Sequence, residues 1–308
     1  LIHRYAAISQ NLLWVPCMNM IREVDQLIVI QCLQSNAIDR LQHKSAQVLN
    51  ELKNCNDDWE ECCYRLICKQ FGSKINTTAF EMLAKTVPAR ILMKHTGERS
   101  EIEALLFGQS GLIHSRLREP YPKNLKKEHR YLAAKYGLSP MPGYIWKFLR
   151  LRPAAFPSLR ISQVSELYTK HQKVFGEMLE KEKFDELLKF FDLASSEYWD
   201  THYVFGKKSR IKRKRFGRQS AHILIINAII PLMHLFGEVM NQPHLCDRAI
   251  SFLEDLPPET NAIVKRWNDC GIQVFNALES QGLLQLKQSF CENKRCLECP
   301  IGHFLLKR

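Results

Sequence analysis

The sequence predicts an all-α fold: an irregular multi-helix array with a loop-rich Pro/Arg connector in the middle and a Cys-rich turn at its C-terminal end. Three observations carry this. Apolar residues recur at helical spacing through most of the chain, alternating strand patterns and Asn-Gly hairpin turns are almost absent, and Asn, Asp or Ser caps with Gly or Pro stops punctuate the apolar stretches.

The elements follow in order. From Ile21 to Leu52, Val24, Leu27, Ile28, Ile30, Leu33, Ile38, Leu41, Val48 and Leu52 fall on roughly one helical stripe. Asn56 or Asp57 is the expected cap of a second helix through Trp59, Tyr64, Leu66 and Ile67, stopped at Gly72. Asn76 opens a third that runs to Val87 and stops at Pro88, and Ser100-Glu101-Ile102-Glu103 reads as the capping signal of a helix ending near Gly108. Six prolines between positions 119 and 160 break that stretch into short pieces. Helices resume over 161–193, 218–240, 243–256, 261–269 and 275–290. The expected regions are therefore 1–118, helical; 119–160, the connector; and 161–308, helical, with a basic segment and the cysteine loop. One compact domain would also accommodate all three.

The 308 residues are 45% apolar and 25% charged, the balance of a folded chain rather than a disordered one. No run reaches the roughly 20 unbroken apolar residues of a membrane span. The best stretch, Ala221 to Val239, is interrupted by His222, Asn227, Pro231, His234 and Glu238, and reads as a buried helix. The start lacks a secretory signal pattern. Eleven cysteines, an odd total placed largely on apolar helical stripes, favour reduced thiols and a cytoplasmic setting without membrane.

Several stretches together carry a family resemblance. They are Phe71-Gly72-Ser73-Lys74-Ile75-Asn76 with Phe80-Glu81-Met82-Leu83-Ala84; Lys94-His95 with 102–109; Trp146 to Pro153; Phe156-Pro157 with Arg160-Ile161; Tyr198-Trp199-Asp200-Thr201-His202-Tyr203; and Cys291 through Gly302. In these the chain resembles the bacterial family catalogued as domain of unknown function 2851, typical of Bacteroidetes. The resemblance implies a further β-containing segment upstream of a C-terminal helical part, so that the chain would be its helical companion. It implies no reaction; that the upstream domain is nuclease-like is an expectation that goes with the nucleic-acid reading below.

Three places carry chemistry. The first is basic: Lys207, Lys208, Arg210, Lys212, Arg213, Lys214, Arg215 and Arg218 fall within twelve positions with no acidic residue among them. Such density attracts phosphate, which Arg grips with two parallel hydrogen bonds. Nearby Tyr203, Phe205 and Phe216 would stack bases of a single strand, and the helix that follows would present N-terminal amides. The expected partner is a nucleic acid or other polyanion; the bland reading is a solvated loop. A weaker basic set is Lys123, Lys126, Lys127, Arg130 and Lys135.

The second is Cys291, Cys296 and Cys299, spaced C-x4-C-x2-C, whose thiolates suit a structural zinc or an iron–sulfur cluster. His303, Cys270 or Cys246 would supply a fourth ligand. The stretch is similar to the iron–sulfur loop of helix–hairpin–helix DNA glycosylases, with a shorter first gap and no fourth cysteine after Cys299. Three thiols packed in a tight turn is the plain alternative.

The third is Tyr198, Asp200 and His202, which would share one face of an extended segment and serve a metal or proton transfer. A polar aromatic cluster fastening the loop is the simpler reading, because no nucleophile or oxyanion motif accompanies it. Two further arrangements are weaker: His95 with Glu103 as an acid–base pair, and Arg150, Arg152 and Arg160 as a phosphate clamp. The functional expectation is a nucleic-acid- or phosphate-binding helical module, against a helical scaffold that meets an acidic protein.

Overall fold

The computed structural model describes residues 11, 13–114 and 116–307. Helices dominate it, as the periodicity predicts. The chain folds into two compact units, Leu1–Leu49 with Ile230–Arg308, and Asn50–Ile229. Neither edge of the expected connector is a boundary between them.

In the unit Asn50–Ile229, the helix Trp59–Phe71 is capped by Asp58, whose side chain accepts from the Glu61 amide; Asn56 and Asp57 instead take left-handed backbone angles just before it. Glu61, Cys62, Cys63, Tyr64, Ile67 and Cys68 are buried from this helix, and the Tyr64 ring meets Tyr168 edge-on at 5.2 Å. Asn76 does stand at the start of Thr77–Thr86, but its amide bonds the Lys147 backbone rather than the helix. The helix Arg99–Gln109 begins one residue before Ser100, which therefore lies inside it and cannot cap it; Glu98 stands at the N-cap position.

The connector is more ordered than its prolines suggest. Pro120 and Pro122 lie in the first turn of a 17-residue helix, Pro120–Tyr136, where the missing N–H groups have no helical acceptor. Gly137 closes it in a left-handed conformation. Only the rest of the connector is irregular, with 3-10 turns at Gly143–Ile145 and Pro153–Ala155. Gly108 permits close packing here: a Cβ would sit 2.0 Å from Cγ of His129. Helix Pro157–Lys170 then buries nearly its whole length. The expected helix over 161–193 is interrupted, continuing as Val174–Leu179 and Phe184–Phe190.

A small antiparallel hairpin, His202–Val204 with Lys207–Lys208, stands among the helices where the sequence shows no clean alternating pattern. It turns at Gly206, whose φ of +72° lies in the region glycine tolerates.

The run Arg218–Val239 is helical throughout and, by length and composition alone, long and apolar enough to cross a membrane; 72% of its most apolar window is buried inside the protein. A π-helical turn, Ile225–Ile229, interrupts it just before Pro231. Proline there removes a hydrogen bond and crowds the carbonyl four residues back, and a widened turn relieves both.

The other unit gathers Cys32, Leu33, Val264, Trp267, Leu283, Leu286, Ile301 and Leu305 in one core. Full burial of a leucine such as Leu33 or Leu283 contributes about 1.5–3 kcal/mol. Gly282 lets two backbones approach, since a Cβ there would lie 2.2 Å from the Leu33 carbonyl oxygen. Asn261 and Asn276 cap Ala262–Cys270 and Ala277–Gln285. The expected C-terminal turn includes a last helix, Pro300–Lys307.

Candidate functional site

Beyond the two strand residues Lys207–Lys208, and before the helix that begins at Arg218, the basic segment has no regular secondary structure except an isolated bridge between Arg215 and Ala194, but backbone hydrogen bonds fasten it. Ser209 N donates to Thr201 O at 2.7 Å, Lys212 N to Asp200 O at 2.9 Å, and Phe216 N to Leu193 O at 2.8 Å; Lys214 O accepts from Ser195 N at 2.9 Å. From Arg213 to Phe216, around that bridge, exposed and buried side chains alternate, whereas the cations from Lys207 to Lys212 are all exposed.

Lys214 and Phe216 face inward. Lys214 is 5% exposed, donates from Nζ to the Asp200 carbonyl at 2.7 Å and lies 4.5 Å from the centre of the Tyr203 ring. Burial pushes its ammonium below the usual lysine range, against the partial opposition of the Asp200 carboxylate. It braces the strand and is not a phosphate contact, a correction to the sequence reading. Phe216 stacks on Phe71 at 4.5 Å and carries the Arg160 guanidinium over its ring at 4.6 Å.

Arg213 and Arg215 face outward but each has a carboxylate, Asp200 at 3.1 Å and Asp192 at 2.8 Å. The remaining five, Lys207, Lys208, Arg210, Lys212 and Arg218, are exposed and have no carboxylate partner among the described residues. Arg218 and Lys189 help to line an open groove of about 430 Å³ that also holds Asp185 and Asp192. Ile211, between Arg210 and Lys212, is 83% exposed.

The aromatic residues do not stand free for base stacking. Phe205 packs against Phe107 at 5.2 Å and Trp199 at 4.9 Å, while Tyr203 packs against Phe156 and Lys214. Their apolar faces have better partners inside the protein than in solvent.

Tyr198, Asp200 and His202 do not share a face, because Glu197–Asp200 is a 3-10 turn and not a strand. The turn brings Tyr198 and His202 together, their rings stacked at 4.0 Å and 5°, and directs Asp200 to Arg213. The residue that joins the first two comes from far away in sequence. Glu119, at the start of helix Pro120–Tyr136, accepts from Tyr198 Oη and from Gly206 N at 3.2 Å, and its Oε1 lies 3.2 Å from His202 Nε2. His202 Nδ1 donates to the Tyr198 carbonyl at 2.9 Å. The Tyr198 hydroxyl, first among the causes, holds the Glu119 carboxyl below its usual range. Every polar group of this set has a partner within the set, so it clasps the hairpin that carries Lys207 and Lys208. Glu119 is invisible to local pattern reading; its position as N-cap before Pro120 was the one available sign.

The weaker arrangements resolve in the same way. His95 pairs with Glu101 and Tyr136, while Glu103, 3% exposed, accepts from Tyr121 at 2.9 Å and Ser162 at 2.8 Å. Arg160 is buried and bonds Gln163 and Ser220, so it clamps no phosphate; burial lowers its guanidinium to about 10.

The three loop cysteines lie with the core of the other unit, Cys296 and Cys299 within it and Cys291 against it. Of the expected fourth ligands, His303 is exposed on the last helix. Cys246 stands apart beside Gly237 and the His234 carbonyl. Cys270 belongs to the same apolar core as Cys296 and Cys299. All the cysteines are free thiols. Among the described residues, no three His, Cys, Asp or Glu side chains stand already disposed about a metal position.

A family model described as protein of unknown function (DUF2851) matches residues 1–262, which include the basic segment and stop short of the cysteine loop. No match was found among curated proteins or among solved structures.

Proposed function

The chain belongs to the DUF2851 family, and from that premise, which brings no reaction with it, we propose that the unit Asn50–Ile229 binds the phosphate backbone of a nucleic acid. The supporting observation is the set of five exposed cations: Lys207 and Lys208 on the hairpin that Glu119 clasps, Arg210 and Lys212 on the segment that Lys214 anchors, and Arg218 at the start of the next helix. Backbone hydrogen bonds from Ser209, Lys212 and Phe216 fix this segment before any ligand arrives, so less ordering entropy is lost when phosphate binds. The inward packing of Tyr203, Phe205 and Phe216 argues for backbone contact rather than base stacking.

The test is the salt dependence of binding to a short DNA or RNA duplex. Each phosphate neutralised steepens the log–log salt slope by about 0.9 for B-DNA. Exchange of the five cations for Gln should flatten the slope by about 4; an unchanged slope removes the reading.

A second reading has one observation of its own. Exposed Ile211 amid cations suits a protein partner that offers acidic residues around an apolar contact. Ile211→Ser should then weaken capture of a stoichiometric partner that survives nuclease treatment, while leaving duplex affinity unchanged.

A further inference from the structure

Tyr136, His95 and Glu101 are linked in a relay that phosphate binding leaves unused. Tyr136 is the last residue of helix Pro120–Tyr136, His95 closes the 3-10 turn Met93–His95, and Glu101 lies in the first turn of helix Arg99–Gln109. Tyr136 Oη lies 3.0 Å from His95 Nε2, and Glu101 Oε2 bonds the other ring nitrogen, Nδ1. We propose that these are a nucleophile, its general base and a positioning carboxylate, and that Tyr136 attacks a phosphodiester of a nucleic acid to form a covalent phosphotyrosine. The choice of nucleic acid as substrate rests on the phosphate-binding reading of the same unit, Asn50–Ile229; the relay itself does not.

The directions of the hydrogen bonds follow from the groups themselves. An ionised carboxylate can only accept, so His95 Nδ1 carries the ring proton and Nε2 is left to accept. Tyr136 Oη is then the donor, the polarity a base needs to take a proton from a nucleophile. His95 is 6% exposed, and its ring meets that of Tyr136 edge-on at 5.7 Å and 90°. A histidine enclosed and held at both nitrogens keeps one orientation and one tautomer.

The surroundings distinguish this relay from the Glu119 clasp. In the clasp one carboxylate gathers Tyr198, His202 and Gly206, and the set is closed. Here the tyrosine hydroxyl ends the relay, and the half-buried Tyr136 has two cations about its ring: Lys94 Nζ lies 5.7 Å and Lys135 Nζ 5.2 Å from the ring centre. Both lysines are exposed and have no carboxylate partner among the described residues. Two ammonium groups there meet the negative charge that develops on the phenol and phosphoryl oxygens in the transition state. They also offset the partial negative charge of the helix end on which Tyr136 stands. The same helix presents Lys123, Lys126, Lys127 and Arg130 as exposed cations, which attract a phosphate backbone to this element.

The step is a transesterification and balances by itself. His95 Nε2 takes the phenol proton as the Tyr136 oxygen forms its bond to phosphorus. The bond from phosphorus to one sugar oxygen breaks, and the same proton passes from His95 to that oxygen, leaving a free hydroxyl end. One phosphodiester is exchanged for another, so attack by the sugar hydroxyl rejoins the strand, and attack by water completes a hydrolysis. Glu101 touches neither substrate nor nucleophile; it holds the imidazole and stabilises the imidazolium that forms.

The experiment uses the full chain and two probes. One is the p-nitrophenyl ester of thymidine 5′-phosphate; the other is random-sequence DNA with sulfur bridging phosphate and sugar, whose thiol leaving group does not rejoin. The ester should release about one equivalent of nitrophenol per chain in a burst. The DNA should stay attached to denatured protein, and mass spectrometry should find the added phosphate on Tyr136. Tyr136→Phe should lower adduct formation at least ~100-fold while the melting temperature and the salt slope of duplex binding stay nearly unchanged, since only one oxygen is lost. His95→Gln should slow the burst by about 10²–10⁴-fold. Glu101→Gln should lower kcat for the ester at least ~10-fold and leave KM within about twofold, a split that general loosening of the fold would not give. Exchange of the five cations 207, 208, 210, 212 and 218 should leave the ester reaction unchanged, because the small probe has no strand to hold. No adduct with either probe, or an adduct that survives Tyr136→Phe, overturns the assignment and leaves the backbone-binding reading standing. An adduct on Tyr136, with an unchanged salt slope in the five-cation variant, keeps this site and removes that reading alone.

Discussion

The basic segment and the cysteine corner contrast in how much of each is local. Eight cations lie within twelve positions, yet the fold divides them into one buried brace, two carboxylate-paired arginines and five free charges. The cysteine corner runs the other way: Cys296 and Cys299 are close in sequence, and the core that buries them also gathers Cys17 and Cys32 from far away along the chain. Density along a chain overstates a site when extended backbone alternates its faces. It understates one when tertiary folding recruits a distant residue.

Four measurements break or sharpen this comparison. The largest effect should come from the core around that corner. Trp267→Ala should lower the denaturant midpoint by the equivalent of about 3–5 kcal/mol, since it empties a fully buried site. A loss under about 1 kcal/mol would show that this core does not hold the unit together. Next comes Gly282→Ala in the same unit. Its Cβ meets the Leu33 backbone, which cannot rotate away, so the denaturant midpoint should fall by the equivalent of about 1–3 kcal/mol.

In the basic segment, Lys214→Met and Lys212→Gln should have opposite signatures. The first removes a buried donor from the Asp200 carbonyl and should cost about 1–2 kcal/mol of stability while leaving the salt slope of duplex binding nearly intact. The second should change stability by less than about 0.5 kcal/mol and reduce the slope by about 1. Equal effects from both would erase the division into brace and contact.

The smallest effect concerns the Glu119 clasp. Its folded carboxyl titrates below the unfolded value, so its contribution is complete at neutral pH and is lost as pH falls through the folded value. Hydrogen exchange of the Gly206 amide, which donates to Glu119, should be protected near neutrality and lose protection only as pH falls below the ordinary carboxylate range. Glu119→Gln should remove that dependence; identical profiles would show that Glu119 does not hold the hairpin.

Helix placement was legible where apolar periodicity met a cap or a stop. The helix Pro243–Asp255 and the cap Asn261 lie where the pattern puts them. Proline misled at 120 and 122, because a proline breaks a helix interior but suits its first turn, and only the finished helix shows which applies. Ser100 misled because a capping pattern needs a non-helical residue before it, and Arg99 is already helical.

Fold class, free cysteines and the location of the cations are properties of residue type and spacing, which any conformation of the chain carries. Which cation is buried, which carboxylate meets Tyr198, and which cysteine stands beside Cys299 depend on contacts between residues far apart along the chain. Such contacts form only when packing excludes water and offers each buried polar group a partner, and local pattern holds no record of that choice.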